Sequence, residues 1–439
     1  MLNSKIREIL RKELQAIKPS SSELSNISVI IKNFLLLLKP ELKNADVFVG
    51  GSFSKGTMIR KGSYDIDLFV RFGAAYRKNS AKLADILDVA LKKAFSRLKT
   101  KQIIKIERLR GSRDYFSIKL AEVMPALTQV TVEIVPVLKI KNAKEALNVT
   151  DVSPLHVAYV KKKIKLKPKL ADEIRLIKAF CYAQDCYGAE SYIRGFSGYS
   201  LELLTCYYGS FLNLIKAACK WKPKVIIDPA KFYKGKEVLA RLNEAKLKSP
   251  IVLVDPAQAD RNATAALSTE CFKRFVKACS DFLAHPSEKF FKRHEVDIKK
   301  LLAEAKKRKA KLLVLEVKSN KRKEDVAGAK LLKFFQFFLR ELEKDFFVLK
   351  AEWLFKPILT QKEALFFFII SKRKKILVRG PPLRLEKYAT LFRKKWPRCI
   401  VKNGILYAAR KCRSIKEILK IKNLKERGIK SIRAKIVRA

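Results

Sequence analysis

Two carboxylates separated by one residue carry the strongest chemical signal in the sequence. Asp65 and Asp67 open a stretch through Phe72 that alternates in polarity, and this pattern predicts a β-strand. Side chains two residues apart in a strand project from the same face, so the two carboxylates would lie side by side. Such a pair suits Mg²⁺, which takes one or two carboxylates and fills its shell with phosphates and water. The pair therefore predicts a magnesium site on a strand.

A glycine-rich segment just before this strand predicts a place for phosphate. Residues 50–57, GGSFSKGT, follow a short predicted strand at residues 46–49. A strand that ends in Gly-Ser before a helix brings backbone amides and a hydroxyl close to phosphate oxygens. Taken singly, an Asp-x-Asp is most often surface charge and a Gly-Ser most often a turn. Together and in this order, they favour metal-dependent chemistry on a nucleoside triphosphate.

Glu133 is the candidate for a third carboxylate. It is acidic within an otherwise apolar strand predicted at residues 129–138, past the middle of the same domain. A carboxylate on a strand next to Asp65 and Asp67 would complete a site for a second metal ion. These three residues therefore form the predicted catalytic and metal-binding set.

The elements that must position these residues form a small α/β domain with a mixed sheet. Apolar residues recur at helical spacing over residues 3–17, 24–38 and 80–97, and Ser22 is the predicted cap of the second helix. Further strands are predicted near residues 103–109 and 114–121.

Beyond residue 153 the pattern turns helical and then becomes mixed. Helices are predicted at residues 170–184, 198–220, 269–283, 327–343 and 384–395, and strands at residues 251–254, 312–317, 346–353, 364–370 and 405–408. Residues 380–382, Gly-Pro-Pro, predict a turn, and residues 421–439 are basic and weakly patterned. The predicted class is a multidomain α+β fold, with domains at residues 1–149, 150–268 and 269–439.

The charge of the chain indicates a polyanionic partner. Its 439 residues include 96 Lys and Arg but 42 Asp and Glu, a formal net charge of +54. Such a surface attracts nucleic acid in a salt-dependent way, although a lysine-rich source proteome would give the same excess. Because no stretch approaches the roughly 20 apolar residues that cross a bilayer, we expect a cytoplasmic protein without a membrane partner. The eight Cys form no CxxC pair, and with three His a zinc site is not expected.

The sequence resembles the nucleotidyltransferases of the DNA polymerase β type and, more narrowly, the archaeal, class I CCA-adding enzymes. Beyond residues 50–67, the resemblance rests on short segments that extend it to residue 263. These are Ser153 to His156, Arg175 to Phe180, Tyr187 to Glu190, Arg194 to Leu204, Val254 to Pro256 and Arg261 to Ala263.

The resemblance implies a function and a role for particular residues. Such enzymes have a polymerase β-like head, a helical neck and an α/β body and tail, and they build the 3′-terminal CCA of tRNA from CTP and ATP with two Mg²⁺ ions. By resemblance, Asp65, Asp67 and Glu133 are catalytic and bind the metals, although the family usually has Asp at the third position. Also by resemblance, the nucleotide would be bound by Ser52, Lys55, His156, Lys178, Tyr187 and Arg261, and the tRNA by residues 269–439.

Other interpretations remain open from the residues alone. Lys178 would equally suit a surface lysine, His156 a helix cap, Tyr187 a core residue and Arg261 a surface arginine. The chemistry also fits a poly(A) or oligoadenylate synthetase, and the fold fits a catalytically inactive RNA-binding relative. A homodimer is compatible with the sequence, which does not show the oligomeric state.

Overall fold

The chain forms two compact units, residues 1–294 and 295–439. A computed structural model describes residues 2–60, 63–96, 103–124, 127–293, 296–321, 323–357, 362–373, 376–421 and 423–437. Helices and strands occur in both units, which confirms the predicted α+β class. Short 3-10 helices lie at Lys39–Glu41, Ala74–Lys82, Ala143–Glu145, Val149–Val152, Gly235–Glu237 and Glu288–Phe291.

The first unit begins with a mixed five-stranded sheet and its helices. The helices are α1 Leu2–Ile17, α2 Ser21–Leu38, α3 Gly51–Lys55 and α4 Leu83–Ser96, and the strands are β1 Ala45–Val49, β2 Tyr64–Phe72, β3 Ile103–Leu109, β4 Tyr115–Met124 and β5 Leu127–Leu138. The strand order is β1-β2-β5-β4-β3, in which β2 and β5 run parallel and the other neighbours run antiparallel. The sequence predicted each of these strands to within a few residues.

The two faces of this sheet differ in the residues that they carry. Alternate residues of β2 and β5, such as Ile66, Leu68, Val132 and Ile134, are fully buried in one cluster with side chains of α2 and α4. The residues between them must project from the opposite face, because the side chains of a strand alternate. This hydrophobic cluster covers one face of the sheet, and the other face carries polar residues beside a smaller apolar cluster of Phe69, Val137 and Val157.

Helix α2 begins one turn earlier than the sequence predicted. Ser20, not Ser22, is its cap: the Ser20 hydroxyl accepts from Glu23 N, and the Glu23 carboxylate accepts from Ser20 N at 2.6 Å. The prediction of Ser22 was wrong because the reciprocal bond requires Glu three residues after the cap. Residues 21–41 are long and apolar enough, by length and composition, to cross a bilayer, yet the buried side of α2 packs on the sheet.

The rest of the first unit is mainly helical. Its helices are α5 Ser153–Leu166, α6 Leu170–Ala183, α7 Gly198–Tyr208, α8 Phe211–Ala218, α9 Val238–Arg241, α10 Glu244–Leu247 and α11 Thr269–Ala284, and its strands are β6 Val225–Ile227, β7 Ile251–Asp255 and β8 Gln258–Asn262. Ile6 and Ile9 of α1 pack in the core of these helices with Phe180 and Phe275. The first helix therefore contacts the helical part of the unit.

The single helix predicted at residues 198–220 is wrong. Gly209 has a φ of 78° and ends α7, and Ser210 then caps α8 by accepting a hydrogen bond from Asn213 N. The left-handed conformation at Gly209 stops the first helix, and the serine begins the second. Apolar residues continue across the break, so the hydrophobic pattern alone did not reveal it.

The second unit contains two antiparallel sheets. Its helices are α12 Ile298–Lys307, α13 Glu324–Glu343, α14 Glu386–Lys395 and α15 Ile415–Ile418, and its strands are β9 Lys311–Ser319, β10 Phe346–Pro357, β11 Lys362–Lys372, β12 Ile376–Pro382, β13 Ile400–Lys402, β14 Ile405–Arg410 and β15 Ile429–Val437. The sheets have the orders β10-β11-β9-β15 and β12-β14-β13. Helix α13 packs Phe334, Phe335 and Phe338 against Phe366 and Phe368 of β11.

One expectation for this unit was wrong, and a segment without a predicted element forms a strand. Residues 380–382 do not form a turn but end β12, where Pro382 pairs with Ile405 after a register shift. The weakly patterned residues 421–439 include β15, which pairs with β9 from Ile429 through Val437. Both strands lie at a sheet edge, where proline and exposed basic side chains are tolerated, so neither shows the usual apolar alternation.

Candidate active site

The carboxylate pair lies on the face of the sheet that is not covered by α2 and α4. Asp65 and Asp67 alternate with the buried Ile66 and Leu68 along β2, so both carboxylates project from the opposite face. In the parallel register of β2 and β5, Glu133 is the partner of Asp67, and it alternates in the same way with buried residues. The structure therefore puts all three predicted carboxylates on one face of the sheet.

The backbone of Gly51 lies directly against the Asp67 carboxylate. A Cβ atom at Gly51 would lie 1.8 Å from Asp67 Oδ2, and the φ of Gly51 is 64°. Gly50 N also donates a hydrogen bond of 2.8 Å to the Asp67 carbonyl. Glycine is needed here for both reasons, because only it adopts this conformation without strain and leaves room for the carboxylate. The glycine pair therefore fixes the start of α3, and with it Ser52, beside the carboxylates.

Asp67 is held in an environment that favours its neutral form. Burial raises its pKa to about 6 from the usual 3.8, and the negative charge of Asp65 adds to the rise, whereas Lys55 opposes it. A divalent cation between the two carboxylates would relieve both effects. Among the described residues, no three side chains of His, Cys, Asp or Glu already surround a position for an ion. The donor set thus fits Mg²⁺, which uses few carboxylates and takes its other ligands from phosphate and water.

Lys55 and Lys178 meet at a carboxylate that the sequence did not single out. Lys55 Nζ lies 2.6 Å from Glu202 Oε2, and Lys178 Nζ lies 2.7 Å from Glu202 Oε1. The Thr57 hydroxyl donates to Glu202 Oε1 at 2.9 Å and accepts from Lys178 at 3.0 Å. Burial by itself would raise the pKa of Glu202, but the charges of Lys178 and Lys55 hold it at about 2. The two lysines therefore share one ionised carboxylate.

Tyr187 lies next to this group. A Cβ atom at Gly198 would lie 3.0 Å from the Tyr187 hydroxyl oxygen and 3.9 Å from Cε of Lys178. Burial and the charges of Glu202 and Asp65 raise the pKa of Tyr187. Lys55 and Lys178 act on the pKa of Asp67, and Asp65 acts on that of Tyr187, so these three groups lie within electrostatic reach of the carboxylates.

His156 and Arg261 belong to a second cluster, built around Asp255. Asp255 is fully buried, and its carboxylate accepts hydrogen bonds from the Tyr199 hydroxyl at 2.9 Å and from Arg261 Nη1 at 2.5 Å. His156 Nε2 lies 2.9 Å from Asp255 Oδ2 without the geometry of a hydrogen bond, and its ring stacks on Tyr199 with centroids 4.3 Å apart. Burial would raise the pKa of Asp255, but His156 and Arg261 hold it at about 2.

Arg261 is only partly held by this cluster. It lies on β8, and 37% of its side chain is exposed. One nitrogen of its guanidinium contacts Asp255, and the guanidinium lies 5.8 Å from the centre of the Tyr199 ring. An arginine anchored at one nitrogen keeps other donors for a ligand.

Sequence reasoning missed Glu202, Asp255, Tyr199 and Thr57. All four lie inside segments that carried the resemblance, but no role was assigned to them. The available signal was an acidic residue within the apolar run Leu201-Glu202-Leu203-Leu204, because a charge on a buried helix face must have a partner.

Comparisons with known proteins identify relatives of this chain. A family model for the second domain of tRNA nucleotidyltransferase matches residues 172–292, which contain both clusters except for α3, Thr57 and His156. The chain is 34% identical over 301 residues to a CCA-adding enzyme of Nanoarchaeum equitans, with 68% of each chain covered. It is 28% identical over 413 residues to a CCA-adding enzyme of Methanocaldococcus jannaschii, covering 92% of this chain and 87% of that one.

A solved structure supports the fold alone. The chain superposes on the Cid1 poly(U) polymerase with a TM-score of 0.50 and 14% sequence identity, covering 65% of this chain and 98% of that one. The sequence identity and coverage shared with the two CCA-adding enzymes, in contrast, extend to the family as well as the fold. On that evidence, the chain belongs to the family of archaeal CCA-adding enzymes.

Proposed function

We propose that this protein adds or repairs the 3′-terminal CCA of tRNA, taking CTP and ATP in turn and using no nucleic-acid template. The observation that supports this most directly is the shared face of Asp65, Asp67 and Glu133 beside the glycine-bounded start of α3. Metal-bound carboxylates next to a phosphate-binding helix start are what transfer of a nucleotidyl group requires.

In this proposal the triphosphate lies between α3 and α6. The Ser52 hydroxyl and the Lys55 ammonium come from α3, and Lys178 comes from α6. Tyr187 lies beside Lys178 and completes this side of the site. The two ammonium groups provide positive charge for the β- and γ-phosphates, opposite the carboxylates that face the α-phosphate.

The base and the sugar would lie towards the second cluster. His156 and Arg261 both contact Asp255, and the partly exposed guanidinium of Arg261 keeps donors for the edge of a cytosine or adenine. The Tyr199 ring, stacked on His156, limits how far either group can turn. Specificity for C or A would thus depend on Arg261 together with the RNA end.

Asp65, Asp67 and Glu133 would hold two Mg²⁺ ions. Bound there, the ions would supply charge neutralisation at the attacking 3′-hydroxyl and at the departing pyrophosphate. The 3′-hydroxyl oxygen would attack the α-phosphorus in line, so that its bond to phosphorus forms as the bond to pyrophosphate breaks, and the hydroxyl proton would pass to one of the carboxylates or to water. Lys55 and Lys178 hold the pyrophosphate through this step, and most of the rate comes from positioning and electrostatics.

The tRNA would contact both units. Lys161, Lys162 and Lys165 are exposed on α5, the helix that begins near His156. In the second unit, a groove of about 520 Å³ is lined by Pro381, Pro382, Leu385, Tyr388, Leu391, Phe392 and Lys395. Tyr388 is 61% exposed there, next to basic residues of α14, which suits stacking on a base beside a phosphate contact. We assign nucleotide addition to residues 1–149 and 150–268 and tRNA binding chiefly to residues 269–439.

The product ladder on a tRNA that lacks its last three nucleotides tests the proposal. The full chain, Mg²⁺ and one labelled nucleotide at a time should give two additions with CTP alone, and a single further addition once ATP is present. Continued extension with ATP would instead indicate a poly(A)-type polymerase. No incorporation at all would indicate an inactive RNA-binding relative.

The matched variant for this experiment is Asp67→Ala. Without the buried carboxylate we expect incorporation to fall by at least about three orders of magnitude, because the charge stabilisation at the α-phosphate is lost. Binding of the tRNA should stay within a few-fold, since Asp67 is not among the basic residues that are proposed to contact RNA phosphates. Turnover at the wild-type rate would contradict the assignment of the site.

A further inference from the structure

We propose that Glu202 is a positioning residue for the triphosphate: it holds the ammonium groups of Lys55 and Lys178 at a fixed separation, so that they bind the β- and γ-phosphates together. This inference rests on the proposed function, because it takes the two lysines as phosphate ligands. It adds a residue that touches neither metal nor nucleotide and acts through both lysines.

The geometry of Glu202 is that of a bridge. Its two carboxylate oxygens contact different lysines, Oε2 with Lys55 at 2.6 Å and Oε1 with Lys178 at 2.7 Å. Oε1 also accepts a hydrogen bond from Thr57 at 2.9 Å. Since the two oxygens of a carboxylate are rigidly joined, the position of one ammonium group fixes the position of the other.

The burial of this group explains why a bridge is needed. Glu202 is fully buried, and the side chains of Lys178 and Lys55 are only 3% and 9% exposed. Two ammonium groups brought this close without a carboxylate would repel each other in a medium that screens charge poorly. Losing one partner of a buried ion pair leaves an uncompensated charge, so the lysines would move apart or lose a proton.

The bridge also joins the two parts of the first unit. Lys55 and Thr57 follow the sheet strand β1, whereas Lys178 and Glu202 lie on α6 and α7 of the helical part. Arg175, one turn before Lys178 on α6, donates to the Met58 carbonyl at 3.0 Å and so holds the same segment. Glu202 therefore sets the distance between a lysine that follows the sheet strand β1 and a lysine on α6.

The net charge of the group is suited to binding and release. Two lysines and one carboxylate leave a single positive charge, which attracts a triphosphate but still allows pyrophosphate to leave. The bridge would thus set both how tightly nucleotide binds and how it lies. Its loss should raise KM for CTP and ATP more than KM for tRNA.

The test compares Glu202→Gln with Glu173→Gln in the full chain. Glu173 is a matched control because it lies on α6 and accepts a hydrogen bond from Phe211 N at 2.7 Å, away from the lysines. Binding of Mg²⁺-CTP without tRNA, KM for CTP, ATP and tRNA, and the melting temperature would be measured for each. We expect Glu202→Gln to weaken CTP binding by at least about tenfold, with KM for tRNA within about twofold. Glu173→Gln should change the melting temperature alone.

Two further variants separate positioning from stability. Glu202→Asp keeps the charge and should recover part of the CTP affinity even where the melting temperature does not recover. In a Lys55→Ala background, Glu202→Gln should weaken CTP binding by a smaller factor than it does in the wild type, because one of the lysines through which Glu202 acts is already gone. An equal loss of CTP affinity in both backgrounds, or unchanged CTP binding in Glu202→Gln, would overturn the inference.

The outcomes distinguish this inference from the proposed function. If Glu202→Gln binds CTP like the wild type while the wild type adds CCA, only the role of Glu202 is wrong. If Glu202→Gln loses CTP affinity but the wild-type ladder is not CCA, the triphosphate site stands and the tRNA reaction is wrong.

Discussion

Asp67 and Glu133 lie opposite each other in the parallel register of β2 and β5, and both face away from the core of the sheet. Adjacent parallel strands are less than about 5 Å apart, so side chains on one face at the same register can share a ligand. The extra methylene of Glu133, compared with the usual aspartate, lengthens the reach from a strand that pairs directly with β2.

Replacing Glu133 should change the requirement for Mg²⁺. We expect Glu133→Gln to need on the order of tenfold more Mg²⁺ and to add CTP at least about a hundredfold more slowly, because one oxygen ligand is lost. Glu133→Asp should stay within about tenfold of the wild type. Single-turnover CTP addition over a series of Mg²⁺ concentrations measures both effects. Glu107→Gln on the outer strand β3 is the control, and a Glu133→Gln variant with the wild-type Mg²⁺ dependence would contradict this role.

Alanine at Gly51 should impair the reaction more than alanine at Gly56. Both glycines have a φ near 65°, but a Cβ at Gly51 collides with the Asp67 carboxylate, whereas a Cβ at Gly56 meets nothing within 4 Å. Each change should cost about 1 kcal/mol of stability from backbone strain. Only Gly51→Ala displaces Asp67, so only that variant should lose most of its nucleotide incorporation. Comparable loss in both variants would mean that the close approach has no catalytic consequence.

The raised pKa of Asp67 predicts that activity falls at acid pH and that the pH of this fall depends on the Mg²⁺ concentration. Its proton is favoured in the folded protein, so the associated stability is present at low pH and is lost as the pH rises through about 6. Mg²⁺ must displace this proton, and its apparent affinity should therefore fall by about tenfold per pH unit below 6. The pH profile of kcat/KM for CTP measures this effect. Its acid limb should have a midpoint near pH 6 at limiting Mg²⁺ and should shift to lower pH at saturating Mg²⁺. An acid limb that stays fixed would exclude this cause.

Glu23 should stabilise the first unit only above acid pH. Although its burial acts in the opposite direction, hydrogen bonds from Ser20 N, Tyr64 and Arg60 lower its pKa to about 2. A lowered pKa gives stability that is present above the usual 4.5 and is lost as the pH falls towards 2. We expect Glu23→Gln to lose about 2 kcal/mol at pH 7, and the difference to disappear near pH 2.

Denaturant unfolding at several pH values measures this difference. The exposed pair Asp88 and Lys92 supplies the control, because Asp88→Asn should change stability by less than about 0.5 kcal/mol. An equal loss in Glu23→Gln at pH 7 and pH 3 would point to packing instead of charge.

The carboxylate strand was predictable because its pattern has one structural explanation. An acidic residue at every second position among apolar residues fits only a half-buried strand, so Asp65, Asp67 and Glu133 were found from spacing. Glu202 was not, since a single acid in a helix becomes informative only when its neighbours from other elements are known. The residues that meet it, Lys55 and Thr57, are about 145 positions away in the chain.

Two edge strands of the second unit, β12 and β15, escaped prediction for a related reason. The sequence predicted β9 and β11 from apolar residues that are buried on both faces of their sheet, and β10 from an apolar run that is exposed at Phe347 and Leu349. In contrast, β15 has exposed basic residues along much of its length and depends on β9 for its partner. Its strand conformation depends on pairing with β9, and no local sequence pattern indicates that pairing.

The pairing of β15 with β9 has a consequence for how the protein is made. More than a hundred residues separate the two strands, so β9 leaves the ribosome long before its neighbour exists. Until synthesis reaches Val437, one side of β9 has unpaired amides and carbonyls that another nascent chain could pair with. Translation that stalls between these strands would therefore leave a species prone to aggregation, even though β9, β10 and β11 had already formed.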